Sequence, residues 1–98
     1  MDKSEVMRKV IDAVRQVQEA SGRPVGSVNS ATCPVSDVAG FDSLSGVEAT
    51  VILSESLGHD LPDVDNPFVS KDGRRALSVN EITDNLCEII GVELKTNE

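Results

Sequence analysis

Val6, Val10, Val14 and Val17 recur at spacings of four, four and three, with Met7 and Ile11 beside them. That spacing returns successive side chains to one flank of an α-helix and predicts an amphipathic helix over about residues 3 to 20. Such a helix must bury its stripe against something else. Asp2, with Glu5 three residues on, stands where an N-cap stands, and Gly22 followed by Pro24 ends the pattern. Two more segments have the same form. One runs from about Asp42 or Ser43 to Leu57 and is stopped by Gly58. The other opens at Ser78 in an S-x-x-E capping box with Glu81, is expected to carry Val79, Ile82, Leu86, Ile89 and Ile90 inward, and ends at Gly91. A chain of 98 residues can enclose one modest core and no more. The expectation is therefore a single all-α domain spanning 1–98, a small helical bundle of three principal helices plus one short element.

The segments between the helices are less definite. Ser21 to Phe41 is rich in Gly, Pro, Ser and Asn, and long for a connection inside a compact domain. Val25, Val28, Val35 and Val38 are expected to pin it to the core, ordering it in part. From Asp60 to Leu77 a short helix or a small hairpin both fit, with Asp72-Gly73 marking a tight turn. No internal repeat, low-complexity tract or domain boundary is visible.

Composition narrows the function classes. Hydrophobic residues at 39% and charged residues at 27% belong to a folded chain rather than a disordered one. No apolar run is long enough for a signal peptide or a membrane span, so a cytoplasmic protein with no membrane partner is expected. The net charge of −8 is concentrated. Between Pro24 and Ser70 stand Asp37, Asp42, Glu48, Glu55, Asp60, Asp63 and Asp65 with no Lys or Arg, whereas the first twenty residues balance. An acidic middle repels phosphate backbones, and with no Trp or Tyr and only two Phe there is no platform for stacked bases. Nucleic acid is thus a poor partner, and a basic protein surface a good one. Cys33 and Cys87 form no CxxC pair and read as two reduced thiols. His59 has no neighbour with which to hold zinc. Asp60, Asp63 and Asp65 miss the glycine and glutamate that a calcium loop requires and read as helix-end and loop charges, so no metal site is expected.

The helix beginning near Ser43 has two apolar sides. At about 100° per residue, Ala49, Leu53 and Leu57 share one side with Gly46, the expected core face, and Ile52 lies at its edge. Leu44, Val47 and Val51 fall opposite, with Glu48 and Glu55 projecting beside them. A mixed aliphatic and acidic stripe suits a docking surface, with hydrophobic contact for affinity and carboxylates for steering. The same pattern also suits burial beneath the long connection or the last helix.

Ser43 stands at the head of this helix in "GFDSLSGVE". A serine there reads first as a simple cap, although Asp42 could take that duty and leave Ser43 free. The helix end also favours an attached anion, because its unpaired N–H groups and its dipole both present positive charge. A hydrolytic role is not expected. Phe41 and Ser45 occupy the glycine positions of G-x-S-x-G, and His59 lies past the far end of the helix from Ser43.

"GFDSLSGVE" at the head of the helix and "SLGHDLPD" at its end resemble the acyl carrier protein family, which includes peptidyl and polyketide carrier domains. Helix length, the long preceding connection, acidity and size extend the resemblance over nearly the entire chain. It implies an acyl-carrier-like bundle without catalytic activity of its own. A phosphopantetheinyl transferase, using coenzyme A, would attach 4′-phosphopantetheine to Ser43 between Asp42 and Leu44, and the terminal thiol would carry an acyl, aminoacyl or polyketide group as a thioester. Leu44, Val47, Glu48, Val51 and Glu55 would meet that transferase and acyl-transferring or condensing enzymes with basic docking surfaces. A monomer is expected.

The chain also departs from the family. Fatty-acid carriers often place acids where Ser45, Ser54, Ser56 and Gly58 stand here, Ala49 replaces a larger aliphatic, and the stretch from Asn66 to Leu77 is longer than expected and basic. These differences favour a specialised pathway over bulk fatty acid biosynthesis. The alternative is an unmodified helical adaptor acting by protein binding alone. Gly46 and Ala49, both small, imply either a cavity for cargo or closer helix packing.

Overall fold

The computed structural model of the chain describes residues 2–58, 67–70 and 74–91, with Ser43 described by its backbone alone. Among the described residues four helices follow in order: α1 (Lys3–Ala20), α2 (Pro34–Asp37), α3 (Ser43–Leu57) and α4 (Val79–Ile90). The protein is all-α, and the three long helices match the segments expected from periodicity. Each begins where a short polar side chain takes up an N–H that the helix itself leaves unpaired. Asp2 accepts from the Glu5 N–H at 3.0 Å, and Asp42 accepts from the Ser45 N–H at 3.0 Å. Ser78 accepts from the Glu81 N–H at 3.1 Å while Glu81 accepts in return from the Ser78 N–H at 2.9 Å, completing the expected capping box. α3 and α4 end at Gly58 and Gly91, whose φ values of 71° and 78° are open to glycine at no steric cost.

The core is assembled on α1. Val6, Val10, Ala13 and Val14 are fully buried, and Val17 nearly so. Burying each valine contributes roughly 1.5–3 kcal/mol relative to leaving it in water. Against this stripe lie Ala49, Leu53 and Leu57 from α3 and Val79, Ile82, Leu86 and Cys87 from α4. Both helices pack on α1 more extensively than on each other. Gly46 is buried with Ala49, as expected for the core side of α3. On α4 one residue departs from expectation: Ile89 is 48% exposed. The buried face runs from Ile82 through Leu86 and Val79 to Thr83 and Cys87, with Ile90 packed against it, and at about 100° per residue Ile89 falls just beyond its Ile82 edge.

The long connection is ordered by the core and by one polar side chain. Val38 is buried and Val28 and Val35 pack against the core, while Val25 is half-buried outside that cluster. A short helix, α2, forms within this connection, which was expected to be only partly ordered. Pro34 supplies a pre-set φ at the first helical position, and Asp37 accepts from the Cys33 N–H at 2.8 Å, so α2 is a local product of four residues and their neighbour. The Val79 and Asn80 N–H groups donate to the Thr32 and Ser30 carbonyls at 2.8 and 2.9 Å, tying the connection to the start of α4. Within the Asp60 to Leu77 region, the described residues take the hairpin alternative. Val69 and Ala76 form an antiparallel bridge, flanked by Leu77 N–H to Phe68 carbonyl at 3.0 Å and Ser70 N–H to Arg75 carbonyl at 2.8 Å. The Asp72-Gly73 turn, His59 and the Asp60, Asp63, Asp65 cluster lie outside the described residues. Phe41 and Phe68, one from each connection, meet in the core with ring centroids 5.5 Å apart. Among the described residues no helix is long and apolar enough to cross a membrane.

Gln18 is fully buried at the end of the α1 stripe. Its Nε2 donates to the Pro24 carbonyl at 2.8 Å and to the Ala39 carbonyl at 2.7 Å, so one amide clasps both ends of the connection. Replacing Gln18 by Leu keeps the volume roughly constant but leaves both carbonyls without their donor. The expected loss is about 2–3 kcal/mol, read as a lower urea midpoint with an unchanged slope.

Candidate functional site

The connection delivers Asp42 and Ser43 to the start of α3 directly behind the buried ring of Phe41. Asp42 is the N-cap, and Ser43 is the first helical residue. The cap is thus supplied by the residue before the serine. Asp42 Oδ1 accepts twice from Ser45, from its N–H at 3.0 Å and its hydroxyl at 3.2 Å. Asp42 Oδ1 and the Asp42 carbonyl, which takes the Gly46 N–H at 3.0 Å, satisfy the third and fourth N–H groups of α3. Among the described residues the Leu44 N–H has no acceptor.

Two side chains that the sequence reading passed over complete this corner. Arg23 Nη2 donates to Ser45 Oγ at 3.1 Å, and Arg23 Nε donates to Gln18 Oε1 at 3.2 Å. Ser45, noted only as a replacement for an acid, is 5% exposed and joins the guanidinium to the Asp42 carboxylate. The signals were present in the sequence. Gln18 follows Val14 by four residues on the apolar flank of α1, and Arg23 is the only Lys or Arg between Arg15 and Lys71.

These partners set the charge state of the cap. The Ser45 N–H, then the Ser45 hydroxyl, hold the Asp42 carboxyl below its ordinary 3.8, and Arg23 adds to the effect against an opposing contribution from burial. Glu81 is likewise held below its ordinary 4.5, first by the Ser78 N–H and then by Arg75, whose Nη2 lies 3.3 Å from Glu81 Oε2. Cys87 is a different case. Burial, with Asp84 adding, pushes its thiol up, so it sits in the core as a neutral, unreactive group.

Beyond its first turn, α3 presents the second stripe to solvent. Leu44 is 67%, Val47 50% and Val51 58% exposed, and Glu48 and Glu55 are exposed beside them. Neither the connection nor α4 covers this side, so of the two readings of the pattern the uncovered face is the one found. Leu44 belongs both to the first turn and to this face. No protein-family model, curated protein or solved structure matches the chain.

A lowered carboxyl value in the folded state makes the folded state bind the proton more weakly than the unfolded chain does. The Asp42 cap therefore stabilises the protein fully above 3.8 and loses that contribution as pH falls through its lower folded value. Asparagine in place of Asp42 can still accept the Ser45 N–H but cannot titrate. The stability gap between the wild type and Asp42→Asn, from urea midpoints, is expected to be constant near neutral pH and to narrow below 3.8. A gap that persists at the lowest pH would show that the charge of Asp42 is not what distinguishes the two caps.

Proposed function

We propose that the protein is an acyl carrier protein of a specialised pathway, working in the cytoplasm and carrying acyl, aminoacyl or polyketide groups as thioesters on 4′-phosphopantetheine attached to Ser43. The observation that supports this most is the division of labour at the head of α3. Asp42 performs the capping, so Ser43 opens the helix without being required as its cap. A covalent phosphodiester suits that position. The Leu44 N–H has no acceptor among the described residues, the positive end of the helix dipole favours an anion, and Arg23 offsets part of the negative charge of Asp42. Phosphopantetheine, once bound, supplies a thiol on a long tether. The chain's own residues supply a rigid helix end to hold that tether and a surface by which enzymes find it.

That surface is the exposed face of α3. Leu44, Val47 and Val51 give apolar contact, and Glu48 and Glu55 give a negative rim that attracts basic docking surfaces on a phosphopantetheinyl transferase and on acyl-transferring or condensing enzymes. Uncovered aliphatics on a small protein fit a docking role, because contiguous apolar patches mark interaction sites more often than they occur without use.

Incubation of the purified protein with coenzyme A and a promiscuous phosphopantetheinyl transferase is expected to raise the intact mass by one phosphopantetheine, and Ser43→Ala is expected to leave the mass unchanged. Modification at another residue, or none with several transferases, would favour an unmodified helical adaptor that uses the same face. Independently, Glu48→Lys is expected to slow association with the transferase severalfold at low ionic strength, and added salt is expected to reproduce part of that loss in the wild type. Association insensitive to both would remove the acidic rim from the docking surface.

A further inference from the structure

We propose that Arg23 is the positioning residue for Ser43: by holding the Ser45 hydroxyl against Asp42 it fixes the first turn of α3 in the geometry in which Ser43 is modified. This rests on the carrier reading above and adds to it a residue twenty positions away in the chain.

Arg23 is anchored at both ends of its side chain. Its backbone N–H donates to the Gln18 carbonyl at 2.9 Å and its Nε to Gln18 Oε1 at 3.2 Å, and Gln18 is itself fully buried at the end of α1. From that base Nη2 reaches Ser45 Oγ at 3.1 Å. A serine hydroxyl has one proton and two lone pairs and ordinarily rotates to suit its surroundings. With the guanidinium occupying a lone pair, the Ser45 proton is directed to Asp42 Oδ1 at 3.2 Å, beside the Ser45 N–H that bonds the same oxygen. Asp42 is the residue that precedes Ser43, so its carboxylate is held through a bonded path that begins in the core. The path is also built into the backbone. Gly40 has φ of 72°, and a Cβ there would run into the side chain of Arg23.

Phe41 alone does not accomplish this. Its buried ring secures the entry to α3, but apolar burial is non-directional and does not orient the polar groups of the first turn. Arg23 supplies directional bonds from a charged donor to Gln18 Oε1 and Ser45 Oγ, and Ser45 in turn donates to the Asp42 carboxylate. Bonds with one charged partner are stronger than neutral ones. In the transfer the Ser43 oxygen bonds to the phosphorus of the pantetheine phosphate of coenzyme A, the pyrophosphate P–O bond breaks, adenosine 3′,5′-bisphosphate leaves and the serine proton passes to a base of the transferase. A nucleophile attacking from a poorly held turn loses rate even where every reacting group is retained, since small misplacements are costly.

The test is a mutant cycle on the apo protein with coenzyme A and a phosphopantetheinyl transferase. Arg23→Gln is expected to lower kcat/KM for modification roughly tenfold, with the loss mainly in kcat because the α3 docking face is untouched. Ser45→Ala severs Arg23 from Asp42 without disturbing Gln18 and is expected to give a similar loss. The double variant is expected to be no worse than either single one, a coupling that two unrelated losses of stability would not produce. NMR titration of the Asp42 carboxyl reports the same path without any transferase, and in Arg23→Gln it is expected to move back toward the ordinary value. Arg23→Gln modified at the wild-type rate, or additive losses in the double variant, would overturn the proposal while leaving the carrier reading intact. A wild type that no transferase modifies would overturn both, and the Asp42 titration would then show whether the bonded path operates in a protein with another use.

Discussion

Burial of the valine stripe of α1 is the interaction on which the rest of the protein depends. α3 and α4 each lay an apolar side against it and meet each other far less, so α1 serves both as their common floor and as the spacer between them. An arrangement of this kind gives α3 one buried side and leaves the opposite side without a neighbour. Ala49, Leu53 and Leu57 face the core, and Leu44, Val47 and Val51 on the same helix remain in water. The exposed aliphatics are thus a consequence of where α1 sits. Small side chains at Gly46 and Ala49 are buried on the α1-facing side, consistent with close approach of the two helices.

Packing on α1 creates a second requirement. The chain must travel from the end of α1 to the start of α3 without leaving buried backbone groups unpaired. Gln18 meets it from within the helix by donating to carbonyls at both ends of the connection, and the carbonyls of Ser30 and Thr32 receive the first N–H groups of α4. A connection of this length would be entropically expensive if it were ordered only by its valines. Its core-packed valines are joined in ordering it by the bonds from the Gln18 amide and from the first N–H groups of α4. The corner at Asp42 belongs to the same system: Gln18, Arg23, Ser45 and Asp42 form a continuous bonded path from the core of α1 to the residue before Ser43.

Much of this was legible before any coordinates. The three long helices could be bounded from valine spacing, from Asp2, Asp42 and Ser78 at their starts, and from Gly58 and Gly91 at two of their ends, because those signals act within a few residues. Asp42 and Ser43 could be placed for the same reason. Where a decision depended on residues distant in the chain, local pattern failed or stayed open. Ile89 is apolar and spaced three after Leu86, which fits an inward position, yet the buried face of α4 is centred near Val79 and Leu86 and ends at Ile82, just short of Ile89. Gln18 and Arg23 went unremarked because neither polar residue has a visible purpose until the connection folds back over them. Ser45 looked like the absence of an acid and is instead the link between a guanidinium and a carboxylate.

The sequence by itself determined that this chain is all-α, where its long helices lie, and that Asp42 and Ser43 stand at the head of one of them with either able to cap it, since periodicity and capping are governed by interactions spanning about one helical turn. The structure gave the cap to Asp42. Tertiary structure alone decided that the second apolar side of α3, which suited either a docking surface or partial burial, is left uncovered. The helical pattern sets Leu44, Val47 and Val51 opposite the core side but carries no information on whether a distant part of the chain packs over them. Tertiary structure also decided that the short helix forms at Pro34–Asp37 and that Arg23 reaches Ser45, because contacts between residues 22 apart exist only once the intervening chain has been closed into a loop.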